Sequence, residues 1–265
     1  MTMGRIGDIL TASRSSGRGA LMPFLTAGYP DLETTEAILL GLEPAWADIV
    51  ELGIPFSDPI ADGPVIAASM HEALSRGIRP ERILDMVSRI RGQIHQGLVA
   101  MVSHSIVERS GGDAFITRAA DAGFDGLIVP DLDLDRVDDL LPVVDQHDLS
   151  FSLLVAPSTT DERLDAIIPR CRGFIYLLAR AGLTGVRSEL PEITPHVSRI
   201  RERTQLPIAV GFGVSSPEHV SRVASVADAA IVGSAIVRRM GESDAPAQAA
   251  LQTIQELSGG LPRGA

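Results

Sequence analysis

Residues 20–30 read ALMPFLTAGYP, and this stretch decides the fold class. Its first seven residues are apolar with almost no polar alternation, the pattern of a strand covered on both faces in a parallel sheet. The turn that follows, Thr26-Ala27-Gly28-Tyr29-Pro30, lacks the G-x-G-x-x-G that an open doubly wound sheet carries after its first strand. Working outward, similar short runs lie at 48–52 (DIVEL), 97–102 (GLVAMV), 126–129 (GLIV), 150–155 (SFSLLV), 173–178 (GFIYLL), 207–211 (PIAVG) and 229–232 (AAIV). Stretches of helical period separate them. Asp31 caps one over 32–42, Pro80-Glu81 opens another, and Ser216-Pro217 a third, with Pro at a first helical position.

Strand starts are mostly about 22–35 residues apart, the length of a βα unit. Eight units predict an α/β fold with a single (β/α)8 barrel over residues 1–265. An added N-terminal helix falls within about 1–18, and the Gly/Pro-rich tail from about 258 is expected to fray. The interval between strands two and three is longer, and a second extended connection follows strand six, so long loops are expected at both places.

Composition narrows the chemistry. The chain has 265 residues and a net charge of −11, which argues against a nucleic-acid partner. All 23 basic residues are arginine. Without a lysine amine the chain is no Schiff-base aldolase, no pyridoxal-phosphate enzyme and no P-loop nucleotidase. Cys171 stands alone, and the six histidines (His71, His95, His104, His147, His196 and His219) show no metal-ligand spacing, so neither metal nor cofactor is implied. Of these, His71, His95, His147 and His219 are expected to face solvent. The first ten residues have no apolar h-region and no run reaches the length of a membrane span, so a cytoplasmic protein is expected.

Barrel sites use the loops after the strands. The second strand ends Val50-Glu51-Leu52-Gly53, and Glu51 is a charge inside an otherwise apolar strand. Desolvation there is expected to raise its pKa toward neutrality, as a general acid/base requires. Asp58 and Asp62 follow in a loop stiffened by Pro55, Pro59 and Pro64. Glu51 also reads as one end of a salt bridge, and Asp62 as the N-cap of a helix from Val65. Gly211-Phe212-Gly213 after strand seven, and Gly233-Ser234 before a helix from Ala235, are places where backbone N–H groups can approach an anion. Tyr176 on strand six reads equally as packing or as a site residue. The glycine-rich 180–185 that follows has the character of a lid.

Taken together, residues 24–30 (FLTAGYP), ELGIPFSDPIADGP, GFIYLLARAGLTG, GFGVSSPE and IVGSAIV resemble the tryptophan synthase α chain family, from about residue 20 to residue 240. The resemblance implies a TIM barrel that cleaves indole-3-glycerol phosphate to indole and glyceraldehyde 3-phosphate. It implies catalytic roles for Glu51 and Asp62 and pocket walls from Phe24, Tyr176 and Phe212. It also implies closure of Asp58 on Thr184, and a phosphate site from Gly185, Gly213, Gly233 and Ser234. A β subunit is the implied partner, in an α2β2 assembly. Where the family commonly has a Tyr-Asn-Pro turn, this chain has His104-Ser105-Ile106. Asp133 stands where a proline is usual, and Ala179 where a serine is common. Alternatives are a stand-alone lyase without a β partner, a non-catalytic α-like activator subunit, or another phosphate-binding barrel such as a sugar-phosphate isomerase.

Overall fold

Leu153 interrupts the fifth apolar run, so eight expected strands become nine. The computed structural model describes residues 4–44, 46–58, 63–179, 191–211 and 213–262. Its strands are β1 (Ala20–Thr26), β2 (Ile49–Gly53), β3 (Gly97–Met101), β4 (Gly126–Ile128), β5 (Ser150–Ser152), β6 (Leu154–Val155), β7 (Ile175–Leu178), β8 (Ile208–Gly211) and β9 (Ala229–Val232). Every pairing between them is parallel, in the order β5-β4-β3-β2-β1-β9-β8-β7-β6. The two end strands, β5 and β6, are consecutive pieces of one run, so the barrel closes through the chain itself. At the break, Leu153 O accepts a 3.3 Å hydrogen bond from Tyr176 N. This is a TIM barrel, with helices between successive strands except β5 and β6.

Pleating divides each strand between two cores. Inward positions (Ala20, Met22 and Phe24 of β1, Ile49, Val99, Ile128, Tyr176, Ala209, Ile231) fill the barrel. The intervening ones (Leu21, Leu25, Val50, Leu52, Leu98, Leu127, Ile175, Val210, Val232) pack against the helices. Both sets are apolar, which is why the sequence shows no alternation. The helix Gly4–Ser15 closes the N-terminal end, where Ile6 and Leu10 enter the barrel core, and a Cβ on Gly97 would lie 2.6 Å from Ile6 Cδ1.

Three aspartates repeat one device at that end. Asp48, Asp125 and Asp228, each just ahead of a strand, accept the backbone N–H of Leu21 (3.0 Å), Leu98 (2.8 Å) and Ile208 (2.7 Å) on the neighbouring strand. Each also meets an arginine: Arg18, Arg91 and Arg201 respectively. The strand starts are thereby locked in register. Cys171 is buried, and burial pushes its thiol up to about 12, so it is unreactive.

The long interval after β2 holds two helices, Pro64–Ser75 and Pro80–Ile90. Asp31 caps the helix Leu32–Gly41 through Thr34 N (2.7 Å), and Ser216 caps Pro217–Ala224 through His219 N (3.3 Å). Four local expectations are corrected. The helix after β2 starts at Pro64 with Gly63 in the cap position, not at Val65 behind Asp62. The helix after β9 starts at Ser234 rather than Ala235. His104-Ser105-Ile106 is the first turn of the helix His104–Arg109, because Ser103 caps it and Ile106 and Val107 are buried. His147 and His219 are half-buried rather than solvent-facing, and His147 Nε2 has no hydrogen-bond partner among the described residues.

Candidate active site

Glu51 occupies the middle of β2, in register with Phe24 of β1 and Val99 of β3. Two residues on from the inward Ile49, it shares the inner face of the barrel. The residue is fully buried, and both carboxyl oxygens are shielded from solvent. A fully buried carboxyl in register with Phe24 and Val99 has the chemistry to donate and accept a proton away from water.

Two aromatic side chains of the same inner core, Phe24 of β1 and Tyr176 of β7, are each seated on a glycine of a neighbouring strand. A Cβ on Gly53 would come within 2.5 Å of Phe24 Cζ, and one on Gly233 within 3.2 Å of Phe24 Cβ, so β2 and the residue following β9 both yield space to that side chain. Likewise a Cβ on Gly211 would lie 2.6 Å from Tyr176 Oη. Ile66 and Met70, from the helix Pro64–Ser75, complete this apolar end of the barrel core. That helix is fastened to the end of β1 by a 2.6 Å hydrogen bond between Thr26 Oγ1 and Ser69 Oγ.

The glycine ends after β8 and β9 have different physical reasons. Gly213 has φ 91°, a conformation that disfavours any side chain, and begins the turn leading to the Ser216 cap. Gly233 is in the cap position of the helix Ser234–Gly241, and Ser234 is its first residue. N–H groups in a first helical turn lack intrahelical acceptors and favour an anion. Asp58 is exposed in the loop leaving β2. Asp62, Phe212, Thr184 and Gly185 lie outside the described residues.

Sequence reading missed the seats at Gly53 and Gly211, and missed Ile66 and Met70. A strand-terminal glycine beside an aromatic on the next strand was the available signal. It also passed over Asp131, whose Oδ2 accepts from Ser103 Oγ (2.8 Å) and whose Oδ1 accepts from His104 N (2.7 Å), joining the loops after β4 and β3.

A family model described as the tryptophan synthase alpha chain matches residues 10–264. The tryptophan synthase alpha chain of Thermosynechococcus vestitus is 42% identical over 259 residues, covering 97% of this chain and 97% of that one. That of Caldanaerobacter subterraneus is 41% identical over 241 residues, with 91% and 92% covered. Among solved structures, a Mycobacterium tuberculosis tryptophan synthase chain superposes with a TM-score of 0.90 at 37% identity, covering 98% of this chain and 99% of that one. The tryptophan synthase A-subunit of Pyrococcus furiosus gives 0.85 at 34%, with 91% and 98% covered.

Proposed function

The chain belongs to the tryptophan synthase alpha chain family and is a carbon–carbon lyase that cleaves indole-3-glycerol phosphate, and we propose that Glu51 carries the proton transfers of that reaction. The observation that carries this assignment is a fully buried carboxyl on the inner face of β2, flanked by Phe24. As the protonated acid, Glu51 delivers its proton to indole C3. The resulting carboxylate then takes the proton from the glycerol hydroxyl while the bond between C3 and the carbinol carbon breaks. Indole and glyceraldehyde 3-phosphate leave, and Glu51 is again protonated, so the cycle closes without an added acid or base. In this proposal Asp62 accepts the indole N–H and stabilises the cation formed on C3 protonation. Phe24, Tyr176 and Phe212 wall the indole, and Gly185, Gly213, Gly233 and Ser234 hold the phosphate through backbone N–H groups and a helix start.

Membership of this family implies a β partner. The finer proposal is an α2β2 assembly in which the β subunit accelerates cleavage by favouring closure of Asp58 on Thr184. Among the described residues no helix is long and apolar enough to cross a membrane, and the proposal places the enzyme in the cytoplasm. The deciding experiment is an indole-release assay on the purified chain, with and without its β subunit. Release in both conditions, raised by the partner, supports the proposal. Full activity that the partner leaves unchanged identifies a stand-alone lyase.

A further inference from the structure

The helix Ser234–Gly241 has eight residues, too few to be stable by itself, so its place is set by what it packs against. Ile236 and Met240 enter the helix-facing core and Val237 the barrel core, and the helix lies against β1 and the helix Pro64–Ser75. A glycine stands at each of its ends. Gly233, in the cap position, faces Phe24: a Cβ there would lie 3.2 Å from Phe24 Cβ and Cδ1. Gly241, the last residue, faces Tyr29, where a Cβ would lie 2.7 Å from the phenol oxygen and 3.9 Å from Cζ. Phe24 belongs to β1 and Tyr29 to the turn directly after it, so one short segment meets the helix at its start and at its end.

Tyr29 is held as a stop for that end. Its N–H donates to Thr26 O at 3.2 Å, and the Gly28 N–H donates to Thr35 Oγ1 at 2.9 Å, tying the turn to β1 and to the helix Leu32–Gly41. The ring packs against both the barrel core and the helix-facing core. On its other side are Glu72 and Arg76 of the helix Pro64–Ser75 and the residue after it, themselves paired at 2.9 Å. Burial first, and then the Glu72 carboxylate, raise the phenol's pKa against the opposing Arg76, so the hydroxyl keeps its proton. We propose that Tyr29 is a positioning residue for phosphate recognition: by backing the end of the helix Ser234–Gly241 it fixes where Gly233 and Ser234 stand, without itself touching substrate.

This inference rests on the phosphate reading of Gly233 and Ser234. A helix of this length, about 12 Å, moves as a rigid rod, so an end left unsupported displaces the N–H groups at the other. Tyr29→Ala is expected to weaken binding of glycerol phosphate, read by titration calorimetry on the full chain, about fivefold, part of the roughly tenfold that one charge-assisted hydrogen bond contributes. KM for indole-3-glycerol phosphate should rise by the same factor with kcat within about twofold, the pattern of lost uniform binding. Cleavage of dephosphorylated indole glycerol should be unchanged. Tyr29→Phe keeps the ring against Gly241 and is expected to bind as wild type does. Tyr29→Leu, which keeps an apolar anchor but falls short of Gly241, carries the same expectation as Tyr29→Ala should that variant fail to fold. Arg239→Ala is the control: it breaks an exposed 3.9 Å contact between the same helix and Glu256, and should change neither constant. A merely structural role would lower the melting temperature of Tyr29→Ala and reduce cleavage of both substrates alike, with glycerol phosphate affinity intact. That pattern, or wild-type affinity in both Tyr29→Ala and Tyr29→Leu, overturns the role of Tyr29 and leaves the phosphate site standing. Failure of the wild-type chain to bind glycerol phosphate overturns the phosphate site, and the role of Tyr29 with it.

Discussion

The Phe24 ring rests on Gly53: a Cβ at residue 53 would sit 2.5 Å from Phe24 Cζ and 2.7 Å from Cε2. Gly233 lies on the other side of the ring, where a Cβ would be 3.2 Å from Phe24 Cβ and Cδ1, and a Cβ on Gly53 would also lie 3.3 Å from Met70 Cε. Gly53→Ala is therefore an overpacking change, expected to cost about 1–3 kcal/mol. For a chain of this size each kcal/mol lowers the melting temperature by about 2–4 °C. Since Phe24 borders Glu51, kcat/KM should fall as well. Thermal melts and steady-state indole release measure the two effects, and an alanine variant with wild-type values would show that the ring is free to move.

Glu51→Gln should abolish indole release, because a carboxamide neither donates to C3 nor accepts the hydroxyl proton. The expected loss in kcat is at least about 10²–10⁴-fold. Phosphate affinity, read by competition with inorganic phosphate or glycerol phosphate, should be unchanged. Asp62→Asn should lose a large part of the rate by weakening stabilisation of the cation. Near-wild-type turnover in Glu51→Gln would remove this residue from the mechanism.

Gly213 gives a cleaner test of the phosphate site than Gly233. A side chain at 233 meets Phe24, so Gly233→Val would disturb the indole wall and the phosphate together. Gly213→Ala strains a turn with φ 91° and crowds the approach of a ligand to its N–H. KM for indole-3-glycerol phosphate should rise about tenfold, the equivalent of one charge-assisted hydrogen bond, with kcat little altered. Dephosphorylated indole glycerol should be a poor substrate. Equal activity toward both forms would place the phosphate elsewhere.

Asp161 predicts part of the acid limb of stability. Arg199 Nε donates to its carboxylate at 2.7 Å and Arg203 Nη2 lies 3.0 Å away, and the Arg199 hydrogen bond holds the carboxyl below its ordinary range. The unfolded chain lacks these partners and binds the proton at higher pH. The stabilisation is complete above the ordinary carboxylate range and is lost as pH falls through the lowered folded value. Melting temperatures of wild type and Asp161→Asn should differ near neutrality, draw together as pH falls below the ordinary carboxylate range, and differ less in about 1 M salt. A gap that widens on acidification would reverse the assignment.

Titration with the β subunit should raise indole release by about tenfold or more, the lower range of effects expected when closure assembles a site. That activation should disappear in Asp58→Asn and in Thr184→Val, while basal cleavage persists. A flat titration would identify a stand-alone lyase.

Much of the barrel was legible in the chain. The runs at 20–26 and 229–232 end where β1 and β9 end, because each is bounded by turn residues and buried on both faces. The break at Leu153 was not legible, since Ser150 to Val155 is a continuous strand-like run and the interruption arises from pairing with different neighbours on its two halves. Glu51 was legible as a charge in an apolar strand. The seating of Phe24 on Gly53 and the reach of Asp131 to His104 were not, because both join residues more than 25 positions apart through contacts that composition and period do not encode.

The helix Gly4–Ser15 has a consequence for biosynthesis. It is made before any strand of the barrel, yet it packs against β1, β3 and β5, the last of which begins at Ser150. At about 5–20 residues per second, roughly 7–30 s of translation separate its synthesis from the appearance of its complete docking surface. During that interval Ile6 and Leu10, which later plug the barrel, have no cavity to enter. The helix is thus an apolar stripe waiting for a receptor assembled behind it, and the end of the barrel opposite Glu51 is sealed by a segment older than every strand it closes.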